Sequence, residues 1–426
     1  MKGRIIRLTV ALAVGFAILL VQLTNLGFVA AEGLRSHELN TRAAAAAFGN
    51  ARGAIHSADG EILALPIGHP DAGQRLLRAY PHGPLYAHVV GYLGPAAGAS
   101  GVERSYDSEL SGRATGIAVQ ELADLFADSG RVGDVILTLN HGVQLTARAA
   151  LGDRDGAVVA IEPATGAVIA MWSRPSFDPD ALVSPKPGAV QAGTRLPVAR
   201  AYQRHYALTA DQSLGAAGVE LLEGARRKPG STGIDLPGEL DGVEPEDTGS
   251  GSGDDTPVRM TPLQLAVAAA SIANDGIRMR PHVVRRVDSR SAEDEQSALE
   301  ASVETAPRDA GQLFETASAA GLLGRMAAEA QQASIGLEPA DGIEVAAAIA
   351  TGLLGDPSDS STRTGSWAVL LAPADAPTVA VAVLIEPDAT LDIGNGRGGG
   401  TLATMIAATA AETALALRAV AISNRP

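Results

Sequence analysis

The chain has 426 residues, of which 46% are apolar and only 3% aromatic, so a sizeable core must be assembled mainly from Ala, Val, Leu and Ile. A formal net charge of −15 excludes a nucleic-acid-binding surface, which needs basic patches. There is no Cys, and no two of the eight His share the i, i+4 spacing of a helical metal site, so no disulfide, metal or cofactor is expected.

In chain order, Lys2, Arg4 and Arg7 precede an uncharged run from Leu8 to Ala31, longer than the ~20 residues a bilayer-spanning helix requires. Basic residues before the span predict a cytoplasmic N-terminus, an uncleaved single-pass anchor and an extracytoplasmic body. The alternative is a cleaved signal peptide, with Val29-Ala30-Ala31 as the small-residue site. Apolar residues at 54, 55 and 62–64 flank Asp59-Gly60 and predict a hairpin. A second hairpin is expected after a Gly133-Asp134 turn. Gly156 to Ile161 reads as a buried strand, Pro163-Ala164-Thr165-Gly166 as a turn, and Ala167 to Trp172 as the return strand. Trp367–Ala372 and Thr378–Glu386 form a further strand pair around a Pro-rich turn. Thr401 to Ala419 has no Pro or Gly and predicts a helix whose Ala-rich face lies on a sheet. Thr248–Asp255 reads as a flexible loop. Asp288–Asp309 is acidic and polar, and reads as a solvated loop, with an interaction segment as the alternative.

Several phrases occur in a family order. They are Arg52-Gly53-Ala54-Ile55 with Gly60 and Leu63-Ala64; Gly101-Val102-Glu103 with Tyr106-Asp107, Leu110 and Gly112; and Gly133 to Asn140. Ile161-Glu162-Pro163-Ala164-Thr165-Gly166, Thr232-Gly233-Ile234-Asp235-Leu236-Pro237-Gly238 and Met260-Thr261-Pro262-Leu263-Gln264-Leu265-Ala266 follow. In this order they resemble the class B penicillin-binding proteins over most of the chain. The resemblance implies an α/β (α+β) fold: a transpeptidase-like antiparallel sheet flanked by helices, preceded by a β-rich pedestal. The implied division is 1–31 cytoplasmic stub and transmembrane anchor, 32–131 pedestal or dimerisation-like domain, and 132–426 transpeptidase-like domain. The expected sheet uses 156–161, 167–172, about 343–350, 366–372 and 378–386.

The family's chemistry needs Ser-x-x-Lys, Ser-x-Asn and Lys-Thr-Gly. This chain has three lysines, Lys2, Lys186 and Lys228; Val183 and Ala225 stand three residues before the last two, so there is no Ser-x-x-Lys. No Asn has Ser two residues before it. Where the edge strand is expected, the chain reads Ala350-Thr351-Gly352, with Ala350 in place of lysine. After Leu196–Tyr202 the family continues into Tyr-Pro-Pro-Gly-Ser and the nucleophile helix. Here the chain passes through His205 and Tyr206 to Ala210-Asp211-Gln212-Ser213-Leu214-Gly215, so most of the helical subdomain is expected to be absent. Ser213 is the one candidate for a relocated nucleophile, but no Lys or His lies one helical turn away, and a capping or surface role suits it better. Arg363-Thr364-Gly365 imitates a cation-Thr-Gly motif but is expected in the loop after the edge strand, and His205 with Asp211 lacks a serine partner. Two function classes follow. The first is a catalytically inactive scaffold in cell-wall synthesis or division, with membrane, cell-wall or division proteins as partners. The second is a divergent D,D-transpeptidase or peptidase built around Ser213. Binding of wall peptide is left open.

Overall fold

The structure is a computed structural model. It describes residues 51–68, 76–94, 97–114, 131–183, 196–208, 216–226, 230–241, 258–291, 301–332, 343–354, 363–386 and 397–423, with Arg7, Leu12, Val14, Gly15, Phe16, Leu19 and Gln22. The first part carries β1 (Ile55–His56), β2 (Ile62–Gly68), β3 (Leu76–Ala79), α1 (Gly83–Val90), β4 (Leu93–Gly94), β5 (Gly98–Ala99), α2 (Gly101–Ser105), α3 (Asp107–Leu110) and β6 (Arg131–Leu137). Next come α4 (His141–Leu151), β7 (Gly156–Ile161), β8 (Val168–Arg174), α5 (Asp180–Val183), β9 (Tyr206–Leu208), α6 (Ala216–Arg226), β10 (Val258–Met260) and α7 (Pro262–Ile272). The chain ends with β11 (Ile277–Met279), β12 (Val284–Ser291), β13 (Ala301–Glu304), β14 (Asp309–Gln312), α8 (Thr316–Gln332), β15 (Ala346–Leu354), β16 (Arg363–Ala372), β17 (Val379–Ile385) and α9 (Arg397–Ser423).

The expected antiparallel sheet is present, in the order β15-β16-β17-β7-β8. Its centre is buried on both faces, because α7 packs on β7 and β17 while α9 packs on β15, β16 and β17. This explains why β17, Val-Ala-Val-Ala-Val-Leu-Ile, is apolar at every position and wholly buried rather than alternating. The Met260-Thr261-Pro262-Leu263-Gln264 phrase starts α7. The Thr261 hydroxyl accepts the Gln264 amide at 3.2 Å, Gln264 Oε1 accepts the Thr261 amide at 2.8 Å, and Pro262 occupies a first-turn position where no donor is needed. Within α9, Leu402–Val420 is long and apolar enough to cross a membrane. Yet Ala403, Ile406, Ala407, Ala410, Ala411 and Ala414 are buried, and the helix lies on β16 and β17, so here it covers the sheet, as the 401–419 reading expects.

The outer edge of β8 is closed by the Gln144 side chain and by backbone groups of Asn140 and His282 rather than by a paired strand. Fully buried Gln144 of α4 accepts the Met171 amide at 2.8 Å and donates to the Met171 and Leu85 carbonyls at 2.8 and 3.0 Å. The Asn140 amide donates to Ile169 O at 2.9 Å. An edge occupied in this way cannot template another strand.

The second sheet has the order β13-β12-β6-β1-β2-β3. The Asp59-Gly60 turn joins β1 to β2 as expected, with Gly60 at φ +92°. Gly133-Asp134, expected to be a turn, instead lies inside β6, which runs parallel to β1. The reason is contact from afar. A Cβ on Gly53 would stand 2.0 Å from the Gly133 carbonyl oxygen, so only glycine permits that approach. Asp134 accepts the Ala54 amide and Arg290 Nε, each at 2.7 Å, which holds the strand extended. The 288–309 stretch is corrected too: β12 pairs with β6, and β13 pairs with β12. Its charges are compensated within the sheet, since Asp288 accepts from Arg286 at 3.0 Å and from Ser302 at 2.7 Å. Its polar composition therefore imitates that of a solvated loop.

Two of the phrases shared with the family converge beneath this sheet. Arg52 Nε donates to Glu103 Oε2 at 2.8 Å, Arg52 Nη1 to Asp107 Oδ1 at 2.7 Å, and Arg78 Nε to Glu103 Oε1 at 2.5 Å. Burial alone would raise the Glu103 carboxyl, but Arg78 and Arg52 outweigh it and hold its pKa below the usual range. Arg7, Leu12, Val14, Gly15, Phe16, Leu19 and Gln22 are helical, and Leu12, Val14, Phe16 and Leu19 are exposed. The remainder of the expected anchor, and the 248–255 loop, lie outside the described residues.

Candidate functional site

The candidate site lies at the outer edge of the five-stranded sheet. β15 is the outermost strand, and α8 and β9 lie against it. Along it, Ala350, Thr351 and Gly352 stand opposite Trp367, Ser366 and Gly365 of β16. Trp367 and Ser366 are buried, so the degenerate motif rests on a packed strand. Arg363-Thr364-Gly365, expected in a loop, instead opens β16 and pairs with Leu354, Leu353 and Gly352. The extension comes from the ladder itself, which continues past the motif to the end of β15. Ser213, Asp211 and all three lysines lie outside the described residues.

The register carries Thr351 across the sheet through Ser366, Ile385 and Gly156 to Arg174. Next to that row the segment 196–208 brings a cluster of charges to the sheet end. Glu386 accepts Tyr206 Oη at 2.6 Å, pairs with Arg200, and lies 3.4 Å from Arg204 Nη1. Asp155 lies 3.8 Å from Arg200 and 3.2 Å from Arg174, and its carbonyl accepts the Glu386 amide at 2.8 Å. Arg204 stacks over the Tyr206 ring at 5.4 Å. Burial, then the Glu386 charge, push the Tyr206 phenol well above its ordinary pKa, so it stays protonated and is no nucleophile. Every formal charge in this cluster has a counter-charge. Chemically it is a brace that fastens 196–208 to the sheet. Beyond it the chain enters β9, which pairs with β10.

His205 is half-buried, and burial followed by Arg259 lowers its pKa; it lies in the loop that leads into β9. The Arg200–Tyr206–Glu386–Asp155 brace carries no signal in the sequence, because its members are separated by up to 231 positions and follow no recognised spacing. Among the described residues there is no group of His, Cys, Asp and Glu able to hold a metal ion.

Comparison with known proteins agrees with this architecture. The family described as Penicillin binding protein A dimerisation domain matches residues 52–136, and that described as Penicillin binding protein transpeptidase domain matches 226–412. The chain is 30% identical to the peptidoglycan D,D-transpeptidase PbpA of Mycolicibacterium smegmatis, over 89% of this chain and 93% of that protein. It is 29% identical to PbpA of Mycobacterium tuberculosis over 97% and 99%. That alignment runs over 504 positions, whereas 97% of 426 residues is about 413, so roughly 90 positions of the relative face nothing in this chain. Among solved structures, PBPA from M. tuberculosis superposes with a TM-score of 0.66 at 23% identity, covering 88% of this chain and 100% of that one. Its imipenem acyl-enzyme complex gives 0.63 at 25%, covering 86% and 99%. The chain belongs to the penicillin-binding protein transpeptidase family.

Proposed function

We propose that this chain is a catalytically inactive member of the family, acting as a scaffold or partner-binding protein in peptidoglycan synthesis or division. The observation that carries this reading is the lysine count. None of the three lysines follows a serine by three residues, so no serine has the base that the family's acyl transfer needs. Ala350 at the edge strand further removes the cation expected there, and the ~90 unmatched positions agree with loss of the helical subdomain. The M. tuberculosis relative, by contrast, is known as imipenem and penicillin G acyl-enzymes.

In the same proposal residues 1–31 anchor the chain in the membrane, 32–131 form the pedestal, and 132–426 form the transpeptidase-like body outside the cell. The exposed apolar residues Leu12, Val14, Phe16 and Leu19 support the anchor. Protease added to intact spheroplasts should digest the chain beyond about residue 31, and a protected C-terminal half would refute that orientation.

Activity is tested by incubating the full chain in detergent with penicillin G and recording its intact mass. The expected result is an unmodified mass from a protein that still melts cooperatively. A stoichiometric adduct mapping to Ser213 would establish the divergent-enzyme reading instead.

A further inference from the structure

A cleft lies at the β8 edge of the five-stranded sheet, on the opposite side from β15 and the degenerate motif. Its volume is about 540 Å³, inside the range of about 300–1,000 Å³ usual for small-molecule sites. One wall is a stripe of α4 running to its C-cap, Leu145, Arg148, Ala149 and Gly152, whose spacing puts them on one helical face. The other wall is β8, through Trp172 and Arg174.

Trp172 is only 5% exposed, and its Nε1 is buried without a hydrogen-bond partner among the described residues. An indole can only donate, and a buried donor normally has an acceptor. The Arg148 guanidinium lies over the ring, 5.9 Å from its centroid, and one donor cannot satisfy another. The acids nearby are already engaged: Arg174 lies 3.4 Å from Asp153 and 3.2 Å from Asp155, and Arg200 lies 3.8 Å from Asp155. Ser176 Oγ donates to the Pro84 carbonyl at 2.6 Å. Arg154, beside Gly152, gives only Nη1, to the Leu151 carbonyl at 3.3 Å. Among the described residues neither Arg148 nor Arg154 pairs with a carboxylate. The cleft therefore joins an unmet N–H donor to uncompensated positive charge, in a chain whose net charge is −15.

We propose that this cleft binds a small oxyanion, a carboxylate or a phosphate monoester, carried on an apolar body. The oxyanion sits between Arg148 and the edge of the indole and accepts from both, while the apolar body lies along Leu145 and Ala149. A guanidinium suits this task because its planar fork matches either oxyanion. Arg148 is exposed and holds no hydrogen bond, so it can swing off the ring to admit the ligand. The site is separate from the edge-strand motif and does not depend on whether acyl transfer has been lost.

The test follows the indole N–H signals by NMR in the full chain labelled with ¹⁵N at tryptophan. The chain has two Trp, so Trp172 is assigned through Trp172→Phe and Trp367 serves as the internal control. Benzoate, phenyl phosphate and the neutral benzamide are titrated separately. The expected result is a saturable downfield shift of the Trp172 N–H with benzoate or phenyl phosphate at millimolar concentration, and none with benzamide. The tighter of the two anions identifies the carboxylate or the phosphate as the group the site takes. Arg148→Gln should weaken binding roughly ten-fold, the size of one lost charge-assisted hydrogen bond, while leaving the thermal transition in place. An equal response to benzamide, no response to either anion, equal shifts of both indole signals, or unchanged affinity in Arg148→Gln would each overturn the proposal.

Discussion

Glu103→Gln isolates the energetics of the buried charges under the six-stranded sheet. Glu103 is fully buried, and its two carboxylate oxygens are each held by a different arginine, Arg52 and Arg78, both 4% exposed. The substitution keeps the shape but removes the negative charge, leaving two buried guanidinium groups with only Asp107, itself part-exposed, as a nearby acid. Breaking a buried pair from one side costs about 3–5 kcal/mol, most of it the penalty of the uncompensated charge. A loss of that size is a large share of the ~5–15 kcal/mol by which a domain is stable. The assay is urea unfolding followed by circular dichroism at neutral pH. The network is also incompletely satisfied, because Arg78 Nη2 has no partner among the described residues. Replacing Arg52, Arg78 and Glu103 together by Met, Met and Leu should therefore recover most of the loss. A Glu103→Gln cost below about 1 kcal/mol, or a triple variant as unstable as the single one, would refute the reasoning.

His88 and Gln144 make two further tests. Burial holds the His88 pKa at about 4, against the pull of the Pro175 carbonyl, which accepts Nε2–H at 3.0 Å. An unfolded His takes its proton first, near pH 6.5, so stability is intact above that value and falls as the pH drops towards 4. The fall should total roughly 3 kcal/mol, and His88→Gln should flatten the slope in acid titrations of unfolding. Gln144→Leu strands the Met171 amide and carbonyl. Each unsatisfied group should cost about 1–3 kcal/mol, and the Met171 amide should exchange with solvent markedly faster.

The five-stranded sheet was readable because its strands are continuous apolar runs bounded by turn chemistry, as at Gly156–Ile161 and Val379–Ile385. A run buried on both faces leaves a compositional trace that survives without alignment. The 288–309 hairpin left none, because Asp288 and Arg290 are neutralised by Arg286 and Asp134, and only the fold brings Asp134 near. Gly133-Asp134 misled for a similar reason: the pair has the composition of a turn, and its extended conformation depends on the gap left by Gly53, 80 residues earlier. At the edge strand, the sequence shows which motif residues are missing. It carries no sign of the brace of Arg200, Tyr206 and Glu386, since ion pairs between distant segments impose no spacing.

The way the second sheet is assembled has a consequence for folding order. Ile55 pairs with Val135, and Ile136 with Arg286, so the sheet's middle strand waits on residues about 80 and 150 positions away in the chain. Pairings this remote in sequence slow folding, because the loop must close before any contact rewards it. As the chain emerges N-terminus first, β6 meets β1 early, while its other edge stays open until residues 284–291 arrive. During that interval the exposed edge is a site for mispairing, which a chaperone or rapid synthesis of the intervening 146 residues would have to cover. A fragment ending at residue 137 would carry the same open edge permanently, and would be expected to aggregate rather than serve as an isolated pedestal.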